Sequence, residues 1–383
     1  MLRLSRMLSG GYLLLTLLIT LITLFVGPLG WAPFQFATIG PGSAPVVVTV
    51  AYSTEKEQWL KNAVTRFAAT NPHIGGRSVQ IVLEGKGSRE MVTDIVQGSY
   101  QPTVISPASM MQVDQLRTAW MIAKGPTAGL IIAAEAPASL VITPLVLLAW
   151  KDRAAPIEQA TTSGDFWNTI QKALTASGGR MHFGHTNPET SNSGLLTLLL
   201  LADGYGDTTE ENASSPAFQE WLRGIERAVP QGEESTGTLT TDMLRFGPSK
   251  YDFVAVYENL AIEAMSSPAA GSNGGLHVFY PPTTVVSEHP YALLNAPWVT
   301  SDQRQGAIQF RDFLLSREIQ QLAIQQYGFR PASQQVQIDL GDAASPFRHY
   351  ADKGVQVTIP NQLSIPANEV TSALIAAWKV ASQ

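Results

Sequence analysis

Serine and threonine recur in this chain where short apolar runs end, and hydroxyls at such points can hold a small polar or anionic solute. Val46–Ala51 runs into Ser53-Thr54, and Thr103–Ile105 into Ser106-Pro107-Ala108-Ser109. Met181–His185 runs into Thr186 and then Ser191-Asn192-Ser193-Gly194. Val79–Leu83 is followed by Gly85-Lys86-Gly87-Ser88, and Phe253–Val256 by Tyr257-Glu258-Asn259. A hydroxyl there can cap the helix that follows or donate to an oxyanion, and a helix N-terminus itself favours negative charge. If the runs are strands of an open α/β sheet, their C-terminal ends gather at one edge, where ligands bind. The candidate ligand-binding residues are therefore Ser53, Thr54, Ser88, Ser106, Ser109, Thr186, Ser191, Asn192, Ser193, Tyr257 and Glu258. Each turn taken singly reads first as a helix cap; their recurrence in both halves of the chain points to a ligand. Tyr257 either closes over that ligand or ends a packed strand, and Glu258 either caps its helix or meets a cationic group.

Catalytic patterns do not fit. Gly85-Lys86-Gly87-Ser88-Arg89-Glu90 opens like a dinucleotide fingerprint but carries Glu90 where the third glycine belongs. Ser191-Asn192-Ser193-Gly194 lacks the leading glycine of a nucleophile elbow. The six histidines are scattered, none paired at helical metal-ligand spacing with a carboxylate. We expect no enzyme activity, no cofactor and no metal. His182 and His185 flank one strand end and read as structural hydrogen-bonding groups. The absence of cysteine excludes disulfides, thiol catalysis and a lipid-modified cysteine. A net charge of −6 argues against a nucleic-acid partner, which needs a basic stripe.

These turns need strands and helices to position them. The length of 383 residues suits about two domains. Val46–Ala51 is β-branched and reads as a buried strand. Trp59, Leu60, Ala63, Val64 and Phe67 follow at helical spacing until Asn71-Pro72 stops the helix. Strand Val79–Leu83, helix Ser88–Val96 and strand Thr103–Ile105 continue an alternation that implies a mainly parallel, layered sheet. Ser139–Trp150 is too long for one strand, and Pro144 in its middle suggests a crossing from one lobe to another. His277–Tyr280 with Pro281-Pro282 reads as the return crossing. Ser301–Tyr327 holds a long amphipathic helix, and Thr371–Val380 a final one.

The N-terminus is a separate element. Arg3 and Arg6 precede Tyr12–Val26, and no charge appears from Met7 to Thr54. Eleven of those fifteen residues are Leu, Ile, Phe or Val, which favours membrane insertion by roughly 5 kcal/mol. The run through Phe34, with Trp31 at its end, reads as an uncleaved anchor; a cleaved signal segment is the alternative.

The order of these motifs resembles the bacterial extracellular solute-binding proteins of type II periplasmic-binding-protein fold, near the molybdate/sulfate/phosphate-like branch. The matching residues are Val46–Ser53, Val104–Ser109, Pro144–Lys151, Thr186–Gly194, Val256–Asn259 and Ala307–Tyr327 with Gly328-Phe329-Arg330-Pro331. The resemblance covers roughly residues 45–335. It implies an α/β fold of two lobes joined by crossing strands, with a small oxyanion or polar solute held between them and an ABC permease as partner. The expected organisation is an anchor or signal segment at 1–34, a linker at 35–45, the first lobe at 46–140, the second at 141–280, and a return to the first lobe with C-terminal helices at 281–383. The body would sit outside the cell membrane or in the periplasm, tethered through the N-terminal helix, or secreted if that segment is cleaved. The competing reading is a membrane-tethered interaction or sensory module that keeps the fold without transport.

Overall fold

The computed structural model describes residues 44–383 apart from 126, 128, 132–134, 231 and 334–335. The anchor or signal segment read at 1–34, and nearly all of the linker after it, lie outside these residues. Among the described residues no helix is long and apolar enough to cross a membrane.

Two sheets organise the body. The first is built on β1 (Val46–Tyr52), whose alternate valines are buried between layers. The antiparallel strands β2 (His73–Ile74) and β3 (Arg77–Gly85) lie on one side of it and β4 (Val104–Ser106) on the other. β3 and β4 run parallel to β1, in a register that brings Tyr52 beside both Gly85 and Ser106. Three strand C-termini therefore end level with one another. The connections are helices because their apolar residues recur at helical spacing. Glu57–Ala69 buries Trp59, Leu60, Ala63 and Phe67 in this way, and Asn71 closes it at φ 53°.

After β5 (Ala138–Ser139), β6 (Val141–Trp150) leads into the second sheet. Its first residues pack with one core and its last with another: Leu140 and Val141 lie with Val48, Phe67 and Phe310, whereas Leu145 and Leu147 lie with Leu199, Phe253 and Tyr257. Pro144 falls between the two sets, where a missing N–H is tolerated because the strand changes partners. β7 (Phe183–Gly184) runs parallel to β8 (Phe253–Tyr257), and β8 and β9 (Leu276–Phe279) run antiparallel to β6 on opposite sides of it. The chain then passes β10 (Thr283–Thr284) and β11 (Val286–Ser287) to β12 (Pro290–Leu293), which pairs antiparallel with β4 and β5. The return crossing thus runs between Val285, packed in the second core, and Tyr291, packed in the first. It falls at the end of, and beyond, the expected His277–Pro282, because Leu276–Phe279 pair with β6 as a strand of the second sheet and bury Leu276 and Val278 in its core.

The amphipathic stretch 301–327 is two helices, Ser301–Leu314 and Arg317–Tyr327, that cover the first core. Beyond β13 (Arg330–Pro331) the tail goes back to the second lobe. Phe347, Tyr350 and Val355 pack with Trp150 and Val254, and β14 (Asn361–Gln362) pairs with β10. The terminal helix Asn368–Ala381 lays Leu374, Ala377 and Ala381 into the core formed by helices Asn192–Tyr205 and Pro216–Glu226.

Candidate functional site

The strand ends of both sheets meet at a narrow cavity between the lobes, about 10 Å³ in volume. The first lobe lines it with Ser53, Thr54, Glu55, Lys86, Gly87, Ser88 and Ala108, and the second with Ser191, Asn192, Glu234, Ser235, Thr236 and Tyr257. Three helices begin here: Ser88–Gln97, Asn192–Tyr205 and Thr236–Phe246. The backbone amides of Ser88 and Asn192, the first residues of two of these helices, find no acceptor among the described residues, and both residues line the cavity. A second hollow of about 620 Å³ shares Thr54, Glu55 and Ser235 and extends outward past Glu57, Thr238, Thr241 and Glu263.

Glycine allows the close approaches that build this geometry. A Cβ on Gly194 would sit 2.2 Å from the Thr186 carbonyl oxygen, and one on Gly87 2.9 Å from that of Thr190. The second approach joins the lobes, where the Arg89 amide donates to Thr190 O at 3.3 Å and its Nε to Glu189 O at 2.9 Å. Gln112 Nε2 also reaches across to Asn192 Oδ1 at 2.9 Å, and Asn259 Nδ2 to Glu55 O at 3.1 Å.

The candidate hydroxyls separate into groups. Ser53, Thr54, Ser88, Ser191, Asn192 and Tyr257 line the cavity. Ser88 Oγ also accepts from the Ala108 amide at 3.0 Å, and Tyr257 OH accepts from Asn192 Nδ2 at 2.9 Å. Tyr257 ends strand β8 fully buried, and burial pushes its phenol well above the ordinary range. Ser106 lies just behind: its carbonyl takes the Ser53 amide at 3.1 Å, while its own buried Oγ has no partner. Thr186 and Ser193 form a buried hydroxyl cluster behind Ser191. Thr186 Oγ1 lies 2.8 Å from both serine hydroxyls, and Ser193 Oγ lies 2.6 Å from Thr236. Ser109 caps helix Met110–Lys124 and donates to Glu288 at 3.2 Å, away from the cavity. Glu258 is engaged elsewhere. Its oxygens accept from Arg330 Nε at 2.6 Å and Nη2 at 2.7 Å, and from the Tyr280 hydroxyl.

A charged cluster that the hydroxyl pattern did not disclose lies beneath Ser53. Lys56 has no exposed surface; its Nζ is 2.5 Å from Ser53 Oγ, 3.0 Å from Glu55 Oε1 and 3.2 Å from His289 Nδ1. Ser53 donates in turn to Glu55. Burial would raise the Glu55 carboxyl, but Lys56, His289 and Ser53 outweigh it and hold it well below the usual carboxylate range. Burial lowers the Lys56 amine, with Glu55 opposing. The same burial, reinforced by the Lys56 charge, lowers His289 to about 4. Glu55 and Lys56 directly follow the Ser53-Thr54 turn, so their position after a strand end was a usable signal. His289 comes from the return crossing, and nothing local in the sequence tied it to this place.

His289 gives a pH-dependent stability. Its folded value lies below the ordinary 6.5, so under acid the unfolded chain takes up a proton that the folded chain refuses. Stability is therefore lost as pH falls from about 6.5 to about 4, by on the order of 3 kcal/mol. Urea unfolding across that range checks this: His289→Asn should flatten the acid limb. His185 acts in the opposite direction. Burial lowers it, but its contact with Glu226 at 3.0 Å prevails and raises it. That contribution fades as pH rises above 6.5, and the His289 variant should leave it unchanged.

Two α/β lobes, joined by crossing strands and meeting at a cleft of strand ends and helix N-termini, define a protein of the two-lobed periplasmic-binding-protein type. Residues 48–330 match the family described as bacterial extracellular solute-binding protein, and the chain belongs to that family. Solved structures with this architecture include the substrate-binding protein of an ABC transporter from Agrobacterium tumefaciens. It is 15% identical with a TM-score of 0.59, covering 91% of this chain and 97% of its own. A periplasmic thiamin binding protein is 13% identical with a TM-score of 0.61, covering 90% and 98%. The ferric binding protein from Campylobacter jejuni is 11% identical with a TM-score of 0.58, covering 87% and 98%. At these identities the likeness is one of fold. No curated protein sequence matches the chain significantly.

Proposed function

We propose that this chain is the receptor of an ABC importer and closes on a small oxyanion or polar solute, as in the molybdate/sulfate/phosphate-like branch of the fold. The observation that carries the reading is the convergence of hydroxyls and unpaired helix-start amides from both lobes on one cavity. Such donors hold an anion without a basic cluster. Lys86, the lysine at the cavity, is neutralised by Glu90 at 3.0 Å and Asp94 at 2.7 Å. The cavity is too small for a solute with the lobes as they stand, so entry requires hinge opening about the two crossings.

Thermal unfolding of the folded body with oxyanions, carboxylates, sugars and thiamin tests this. A true ligand at 100 times its Kd should add about 2.7 kcal/mol. Once it is known, Ser191→Ala should weaken binding about tenfold by calorimetry. Ser109→Ala, which removes a cap and a hydrogen bond to Glu288 away from the cavity, should cost about 1–2 kcal/mol of stability and leave affinity unchanged. No shift with any solute, together with a co-purifying protein, would favour the tethered interaction or sensory module instead.

We also propose that the Arg3/Arg6-flanked apolar run stays on the mature protein as its membrane anchor. Intact-mass measurement of membrane-extracted protein should find the N-terminus in place, and a chain beginning near residue 37 would refute it.

A further inference from the structure

We propose that the turn Asn187–Thr190 of the second lobe is an autoinhibitory latch: it docks on the start of helix Ser88–Gln97 and holds the lobes in a closed form that competes with solute. The helix begins behind Gly87, and its first amides are the donors an anion would seek. The second lobe meets them with neutral carbonyls instead. Thr190 O accepts from the Arg89 amide at 3.3 Å, and Glu189 O accepts from Arg89 Nε at 2.9 Å. The approach depends on Gly87. Its φ of −59° suits any residue, but an added Cβ would stand 2.9 Å from Thr190 O. A side chain there is resisted by the opposite lobe, not by its own helix.

The turn holds its shape from within its own lobe. The Glu189 amide donates to Asn187 Oδ1, the Ser191 amide to Asn187 O and the Asn187 amide to Glu233 O, each at 2.9 Å. The Glu189 carboxylate meets Lys379 of the terminal helix at 2.6 Å, and Thr190 Oγ1 donates to Glu234. Little ordering cost remains when such a turn docks. Arg89 is less well served, since its buried Nη1 has no partner among the described residues. A guanidinium resting on a carbonyl prefers an oxyanion, whose charge-assisted hydrogen bonds are about twice as strong, so the latch can be displaced. Gln112 to Asn192 and Asn259 to the Glu55 carbonyl complete the seam. The cavity it encloses, about 10 Å³, has room for one water at most. This closed form therefore excludes solute, and apparent affinity falls with the fraction of protein held in it. That competition rests on the solute-receptor reading; the latch itself does not.

The chain has no cysteine, so Gln97→Cys and Lys172→Cys, both exposed and one in each lobe, put two nitroxides on the full chain in detergent. Their separation is measured by pulsed electron resonance with no solute added. The parent should show one short distance. Gly87→Ala should move the distribution to longer distances. Arg89→Met, which introduces no clash, should raise the ratio of open to closed protein about tenfold, the loss of one hydrogen bond from a charged donor. Circular dichroism checks that each variant is folded; if Gly87→Ala is not, Arg89→Met alone decides. Because no solute enters the measurement, failure of the receptor reading would show separately, as no thermal shift with any solute. A parent centred on the long distance, or an Arg89→Met distribution identical to the parent's, would overturn the latch.

Discussion

Lys56→Met should lower the free energy of unfolding by about 3–5 kcal/mol, read from the urea midpoint at constant m value. The ammonium is fully enclosed, and Glu55, 6% exposed, depends on it. Removing the lysine leaves a buried carboxylate supported only by His289 and Ser53. The pH dependence identifies the cause. A depressed Glu55 contributes stability that is present above its unfolded value near 4.3 and lost as pH falls through the folded one. The variant lacks that contribution, so the two proteins should converge under acid. Adding Glu55→Gln should recover most of the loss, because both desolvation penalties then disappear. A double variant as unstable as the single one would place the cost in packing of the lysine stem instead.

Arg330→Met should cost a similar 3–5 kcal/mol, but by loosening a different part of the molecule. Arg330 holds Glu258, which has no exposed surface, through two hydrogen bonds. It also donates to the carbonyls of Gln356 and Val357 and lies over the Phe347 ring at 5.1 Å. One side chain therefore joins the start of the helix after β8 to the tail that returns to the second lobe. Burial already raises the Glu258 carboxyl despite Arg330. Without the guanidinium it should rise further and protonate more readily, so the deficit should shrink as pH falls. Hydrogen exchange should show protection lost first across 346–357. An even loss over both lobes would refute this local role.

Much of the fold was readable in the sequence because its signals are local. Strand β1 and the helix after it follow from β-branched residues and from a 3.6-residue spacing that ends at Asn71-Pro72. Pro144 marked the crossing, although Val141–Trp150, read as too long for one strand, is a single strand that changes partners at that proline. His277–Tyr280 was misread for the converse reason. Pro281-Pro282, read as part of the crossing, follow just after a strand that pairs with β6 and packs Leu276 and Val278 in the second lobe's core. The tail was equally opaque, since an amphipathic helix at 368–381 announces an apolar face without naming the lobe that receives it.

The candidate site divides along the same line. The sequence by itself determined where strands end and where hydroxyls can leave them, because strand length, turn residues and helix starts are set within a few residues. It also determined an α/β alternation with long crossings, and an N-terminal apolar run with basic residues ahead of it. Tertiary structure decided which of those hydroxyls face the cleft. Ser191 lines the cavity while Ser193, two residues on, turns back to Thr186 and Thr236. Ser106 ends level with Tyr52, yet its Oγ is enclosed. Glu258, next to a cavity residue, is drawn away by an arginine 72 positions later. Only the fold could bring His289 to Glu55 and Lys56, because a buried charge is tolerated where its partners converge, and His289 lies 233 positions after Lys56 on the return crossing.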